Sequence, residues 1–319
     1  MKAKLKKNVV WLMLIALIII FSMETPYFFT QGNLITILRQ VSNTGIITVG
    51  MSLVVIGGGI DLSVGTQMGL NGMVTALLLT TSGLPVVICC LIGILLSAFI
   101  GFINGTIITF TKMPPLIATL GMSYICKGFA YLITGGFPVY GLPEQIKVLG
   151  QGYIGGVFPV CVLILIIVIA CGAFVLNKTH FGRQAYAIGS NEEAARLTGV
   201  NVNRVRISLY TISGMLAGLS GVVLMSRTNS GQATSGTGSE MDALIACVVG
   251  GISVVGGEGN ATGIIGGMLV MGVLANGMAV MGMSEYSQTL VKGLVLVAVV
   301  ALDSFTKTYT QKVKISKVD

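Results

Sequence analysis

Ser190-Asn191-Glu192-Glu193-Ala194-Ala195-Arg196-Leu197-Thr198-Gly199 sits inside Asn177 to Arg206, the one long polar stretch of an otherwise oily chain. Ser190 with Glu193 three residues on is a capping-box signal, and Gly199 is a natural helix stop. The spacing predicts a short helix of about eight residues, about 12 Å long, lying outside the membrane. Lys178, Arg183, Arg196, Arg204 and Arg206 surround it, and strong apolar segments flank it on both sides. A capped polar helix between two oily halves is built to be touched from the cytoplasm.

The rest of the composition makes those halves membrane-embedded. Of 319 residues, 54% are hydrophobic and only 9% charged, where a soluble protein carries about a quarter charged residues. Between Val41 and Asn177 the only charged residues are Asp61, Lys112, Lys127, Glu144 and Lys147. The fold class expected is an all-α polytopic membrane protein. The 44 glycines and 16 methionines suit closely packed, glycine-kinked membrane helices. The net charge of +8 is spread along membrane edges, which argues against nucleic acid as a partner and for membrane lipid. Cys89, Cys90, Cys126, Cys161, Cys171 and Cys247 all fall in apolar segments without zinc spacing and read as small buried hydrophobes. His180, the only histidine, cannot build a metal site alone.

Taken in order, Lys2, Lys4, Lys6 and Lys7 precede an apolar run from Val9 to Phe21. Ser22-Met23-Glu24 offers no small-x-small cleavage site, so this reads as an uncleaved first span. Gln31 to Arg39 is polar and expected at the outer surface. Further spans are expected at 41–58, 64–81, 84–110, 115–134 and 157–176, with a Gly/Pro-containing loop over 135–156. After the polar stretch come 207–226, a polar segment Arg227 to Glu240 expected to be exposed, the short apolar 241–255, then 261–281 and 286–301. The positive-inside rule places the N-terminal lysines, the basic centre and the tail (Lys307, Lys312, Lys314, Lys317) in the cytoplasm. Each interval then needs an even number of crossings, which gives ten spans. On this count fourteen of the 19 Lys/Arg are cytoplasmic. The domain expected is a single membrane unit, 1–319: six spans in 1–176, a cytoplasmic loop 177–206, four spans in 207–305 and a tail 306–319.

Chemistry is sparse. There is no GxxxxGK[ST] loop, HExxH, GxSxG or Cys/His cluster, so neither catalytic nor metal-ligating residues are expected. Three successive glycines, Gly57-Gly58-Gly59, will not hold a helix in lipid. Asp61 beside them either forms a joint at the transport path or caps the next span by accepting N–H bonds from residues 63 and 64; the two are compatible. Gly58 to Gly65 is echoed by Gly250 to Gly257, at matching places in the two halves. Asn71, Asn104 and Asn276, each in an apolar segment, read as interhelical hydrogen bonders or as the lining of a path for a neutral polyhydroxyl solute. Lys127 and Lys292 fall within spans; Asp303 and Glu285 are candidate partners of Lys292. An ion-coupled secondary transporter would use Asp61, Glu258 or Glu285 as its protonatable site.

Glu193-Ala194-Ala195, three residues and then Gly199 resemble the EAA-type loop of bacterial ABC-importer permeases. Gly58-Gly59-Ile60-Asp61-Leu62-Ser63-Val64-Gly65 resembles the signature of the ribose/xylose/galactoside-type sugar permeases. So do Asn104-Gly105, Thr119-Leu120-Gly121, Thr179 to Arg183 with Ala187-Ile188-Gly189, Ser213-Gly214, Gly250-Gly251, Gly256-Gly257, Asn276-Gly277 and Lys292-Gly293. The resemblance implies a ten-span permease of a bacterial inner membrane, paired with a second permease subunit. It also implies a two-domain ATPase that binds ATP and Mg, and a periplasmic or lipid-anchored sugar-binding protein; the permease itself carries no cofactor. Arg183, Glu192, Glu193, Ala194, Ala195, Arg196 and Gly199 are then the expected ATPase-coupling residues. Gly58, Gly59, Asp61, Ser63, Asn71, Asn104 and Asn276 are expected at the path or its helix break. Two departures stand out: Lys127-Gly128 replaces a common Arg-Gly, losing bidentate geometry, and the loop lacks the Ile-x-Leu-Pro ending of the wider class.

Overall fold

The computed structural model describes residues 2–315, with side chains described over 9–301. The lysines at 2, 4, 6, 7, 307, 312, 314 and 317, and Asp303, lie outside the described side chains. Among the described residues the chain is helical almost throughout: α1 (Lys2–Glu24), α2 (Gln31–Ile56), α3 (Val64–Thr81), α4 (Val86–Thr111), α5 (Pro115–Thr134), α6 (Glu144–Gln151), α7 (Val160–Lys178), α8 (His180–Ser190), α9 (Glu192–Leu197), α10 (Val202–Thr228), α11 (Ser239–Val249), α12 (Ala261–Val280) and α13 (Glu285–Ile315). A two-residue hairpin, β1 (Tyr153–Ile154) against β2 (Phe158–Pro159), is the small exception to the all-α expectation. Among the described residues α4, α5, α7, α10 and α12 are each long and apolar enough to cross a membrane. This is an all-α polytopic membrane protein.

Glycine sets the packing. Along α4, Ser97, Gly101 and Gly105 recur every fourth residue and face Gly214 and Gly218 of α10. A Cβ at Gly105 would stand 2.7 Å from the Ile207 Cα, and one at Gly214 would stand 3.1 Å from the Gly101 Cα. The two backbones touch because neither helix has side chains in between, the small-xxx-small contact that replaces hydrophobic drive in lipid. In the same way α12 lays Gly266 against Val10 and Gly277 against Phe21 of α1. From Val41 onward α2 is almost wholly buried, and with α3 and α10 it forms the centre. Its first turns, capped by Thr30, take in Gln31 to Arg39, which stays largely at the surface as expected but belongs to one continuous helix. Five of the cysteines are buried as expected, but Cys171 is exposed on α7.

Two further expectations change. Residues 227–240 are not simply exposed: Ser230, Gly231 and Ala233 are buried. From Gly231 the chain descends along α3, with Gly231 over Ala76, Ala233 over Gly69 and Gly236 over Gly65 and Met68. Small residues on both sides permit that approach. In turn 241–255 is not one helix. α11 ends at Val249, and at about 16 Å it reaches only halfway through a hydrocarbon core of about 30 Å.

The connections gather at two ends. One holds 57–63, 112–114, 179–201 and 250–260. The other holds the 137–159 region, where Val139 pairs with Gly231, Gly150 N donates to Ser226 Oγ at 2.7 Å, and Arg39 donates to Gln151 O at 3.0 Å while stacking over Tyr153.

Candidate functional site

The polar stretch folds as two helices. Thr179 caps α8, its hydroxyl accepting from Gly182 N at 3.1 Å. Asn191, extended at φ −162°, ends α8 and starts α9, its Oδ1 accepting from Ala194 N at 3.0 Å. The expected Ser190–Glu193 capping box does not form, because Ser190 is still helical and its Oγ donates back to Tyr186 O at 2.8 Å. Asn and Ser are near-equal caps, so the start moved by one residue and α9 is six residues long rather than about eight. Gly199, at φ +85°, stops it as expected. Ala195 faces inward at 4% exposure, whereas Leu197 stands out at 90%. Arg183, Glu193, Ala194 and Arg196 are exposed on the same face of the protein. Glu192 is held: its carboxylate accepts from Arg196 at 3.0 Å and pairs with Arg206 of α10.

Between α9, the 112–115 turn, the end of α2 and the start of α10 lies a cleft of about 830 Å³, bordered by Gly58, Gly59, Lys112, Glu192, Glu193 and Arg206. The end of α8 is wedged beside it. A Cβ on Gly189 would meet Ile56 O and, at 2.5 Å, Gly257 N; one on Gly256 would meet the Gly58 Cα at 2.8 Å. Gly257 N donates to Ile56 O at 2.9 Å. The two echoed glycine segments thus touch each other, with α8 against both. Tyr186 fixes the wedge by donating to Gly259 O at 2.9 Å, and its burial lifts the phenol above the usual tyrosine range.

Above the cleft floor lies a buried polar cluster. Asp61 is fully buried. Its Oδ1 accepts from Ser63 N at 3.1 Å and Ser63 Oγ at 2.5 Å, and its Oδ2 from Ser213 Oγ at 3.1 Å. Val64 N does not donate to it, so only the residue-63 half of the expected cap forms. Ser63 Oγ also accepts from Gln67 at 2.7 Å and Asn104 at 2.9 Å. Thr119 of α5 accepts from Leu62 N at 3.1 Å, and Tyr210 donates to Ile60 O at 3.3 Å. The loop is thereby tied to α3, α4, α5 and α10.

The structure brings Asp61, Ser63 and Asn104 together and leaves the other two asparagines apart. Asn71 sits farther along α3, donating to Ser97 at 3.3 Å and accepting from Thr75 at 3.0 Å. Asn276 pairs reciprocally with Asn33 at 3.0 Å. Lys292 pairs with Asp242 at 2.8 Å, not with Glu285. The sequence reading missed α8, although Thr179 three residues before Gly182 is a cap signal. It also missed Tyr186, Leu197 and the Glu192–Arg206 bond, which join residues distant in the chain or show only as exposure.

The fold is a multi-pass helical bundle that carries a capped helical pair at one end. The chain belongs to the family described as branched-chain amino acid transport system / permease component, which matches residues 33–300. It is 40% identical to the ribose import permease of Escherichia coli (strain K12), over 95% of this chain and 95% of that one. It is 34% identical to the galactose/methyl galactoside import permease of Haemophilus influenzae over 94% of each chain. It is 35% identical to the fructose import permease of Rhizobium meliloti over 88% of this chain and 80% of that one. No solved structure matches the chain. It is an ABC-importer permease of the cytoplasmic membrane, and the ion-coupled carrier is set aside.

Proposed function

We propose that the chain is the membrane subunit through which a monosaccharide or close polyhydroxyl analogue is imported at the expense of ATP hydrolysed elsewhere. The relatives named for ribose, galactoside and fructose import support a sugar as solute. The whole of 1–319 acts as one unit. Its ten crossings are α1, α2, α3, α4, α5, α7, α10, the composite of 230–238 with α11, α12 and α13, with glycine breaks after α2 and around α11. Both termini and the α8–α9 pair (the 177–206 loop) lie in the cytoplasm.

The partners are a second permease subunit, a two-domain ABC ATPase that binds ATP and Mg, and a periplasmic or lipid-anchored binding protein that supplies selectivity. The ATPase grips α9 through Glu193, Arg196, Leu197 and the Gly199 turn, with Arg183 alongside. Closure of the ATPase displaces α9 and α8 together. Glu192 carries the motion to α10 through Arg206, and Gly189 carries it to the ends of α2 and the 250–260 loop. This is a rigid-body switch, and it requires α9 to be bound differently in two states. Asp61, Ser63 and Asn104 hold the break after α2 at the inner mouth. Asn71 and Asn276 serve helix packing, a role their mutual distance and paired hydrogen bonds favour.

One observation carries the reading: α9 is capped at both ends, outward-facing and tied to α10. The test is to co-express the chain with its neighbouring ATPase and binding protein and to measure ATP-dependent sugar uptake in proteoliposomes. Glu193→Lys is expected to leave insertion intact and abolish uptake. Uptake by the lone chain without nucleotide would overturn the reading.

A further inference from the structure

A second cavity, of about 200 Å³, lies between α2, α10, α11 and α12, toward the end of the bundle opposite the coupling helices. From α2 it is lined by Gln40, Asn43 and Thr44, whose i, i+3, i+4 spacing puts them on one helix face. Arg227 enters from α10, and Ser239 and Asp242 from the first turn of α11. Met271, Gly272 and Ala275 of α12 form an apolar wall. Polar groups at this depth are expensive unless they are used.

Two of them lack a partner. Asn43 is 93% buried (7% exposed), and its Oδ1 and the Gln40 Oε1 accept no hydrogen bond. Its backbone carbonyl accepts from Ser220 Oγ at 2.8 Å, which ties this turn of α2 to α10. Asp242 is held from α13 by Lys292 at 2.8 Å. We propose that this chamber is a binding site for one neutral polyhydroxyl solute of monosaccharide size.

The chemistry selects that class. Orphaned amide oxygens call for donors, and hydroxyl groups supply them. Arg227 and Ser239 supply donors in return, and the Met271–Ala275 wall matches the C–H face of a sugar ring. A cation would meet Arg227, and an anion would bring acceptors against the Asn43 and Gln40 oxygens, while Lys292 already neutralises Asp242. The volume equals that of about seven waters in the liquid, enough for a pentose. The inference rests on the sugar-import reading for the identity of the solute, and it adds a site inside a single subunit, away from the coupling face and the Asp61 cluster.

The test uses the full chain in lipid nanodiscs with D-ribose as probe, and D-galactose and D-fructose beside it, read by saturation-transfer NMR. Saturable binding of at least one sugar is expected. Ala275→Leu, which fills the chamber from the apolar wall, and Asn43→Leu are each expected to weaken it at least tenfold. ATP-driven uptake by the assembled transporter is measured on the same variants and is expected to fall severalfold at saturating sugar and binding protein. If no sugar binds, the chamber holds water only and the inference falls. It falls equally if both variants bind and import as the parent does, which leaves sugar import standing. If the parent complex imports no sugar, the import reading fails, and nanodisc binding alone decides the chamber.

Discussion

Leu197 offers a direct quantitative test of the docking face. It is 90% exposed on α9, one residue after Arg196, while Ala195 on the opposite side is 4% exposed. An exposed leucine contributes little to the permease itself, so Leu197→Ala should change its stability by no more than about 0.5 kcal/mol. If the ATPase buries the side chain, the substitution removes three carbons from that contact. At about 0.8 kcal/mol per CH₂ the loss is about 2 kcal/mol, or about 30-fold in affinity. Biolayer interferometry between nanodisc-held permease and purified ATPase reads this directly, with the permease melting temperature as control. Leu197→Met, of similar volume, should retain most of the affinity. An affinity for Leu197→Ala within threefold of the parent, with an unchanged melting temperature, would refute the claim that α9 docks by this face.

Other outcomes follow from the same geometry. Gly199→Val places a β-branched residue at φ +85°, where no neighbouring atom obstructs a Cβ; the backbone penalty of about 1–2 kcal/mol should unwind the α9 stop, leaving membrane yield normal and uptake lost. Asp61→Ala strands the three hydrogen bonds donated by Ser63 and Ser213 and should destabilise by about 3 kcal/mol, seen as a lower melting temperature, with Asp61→Asn affected less; parent-like melting of Asp61→Ala would remove the cluster's structural role. A reporter fused after Gly231 should read extracytoplasmic, and a cytoplasmic signal would break the ten-crossing topology.

Where the physics is local, the chain could be read directly. Apolar runs gave α3, α4, α5, α7 and α12 to within a few residues, whereas α2 and α13 run on into polar sequence that the apolar pattern does not mark, and Gly199 ended α9 because only glycine accepts that φ cheaply. Where placement depends on what another helix presents, the reading failed. The descent of 230–238 along α3 looks like an ordinary polar loop, since its burial depends on Gly69 and Gly65 lying beneath it. Lys292 pairs with Asp242 rather than Glu285 because α13 packs against the first turn of α11, a contact that no local pattern shows. The cap of α9 moved from Ser190 to Asn191 because α8, which the sequence reading did not foresee, used Ser190 as its last residue. Asp61, Ser63 and Asn104 are legible as site candidates, but Gln67 of α3 carries no local signal and Ser213 of α10 is marked only by the family resemblance.

The contact at Gly189 decides how force can pass from α9 into the bundle. α9 touches the membrane helices chiefly through Ala195 and the Glu192–Arg206 pair, and an ion pair between long side chains passes on only part of a displacement because it can rotate. The α8 end has no such slack. Gly189 lies so close to Ile56 O and Gly257 N that even a methyl group finds no room, so backbone bears on backbone. Displacement there must be taken up by the end of α2 and by the 253–257 turn together, because Gly257 N is bonded to Ile56 O. The next residues after α2 are Gly57 to Ser63, anchored through Asp61 to α10, through Thr119 to α5 and through Asn104 to α4. A push on the α8–α9 pair therefore reaches a joint shared by four helices. Close approach excludes a side chain at Gly189, Gly256 and Gly257, and a φ of +81° favours glycine at Gly58.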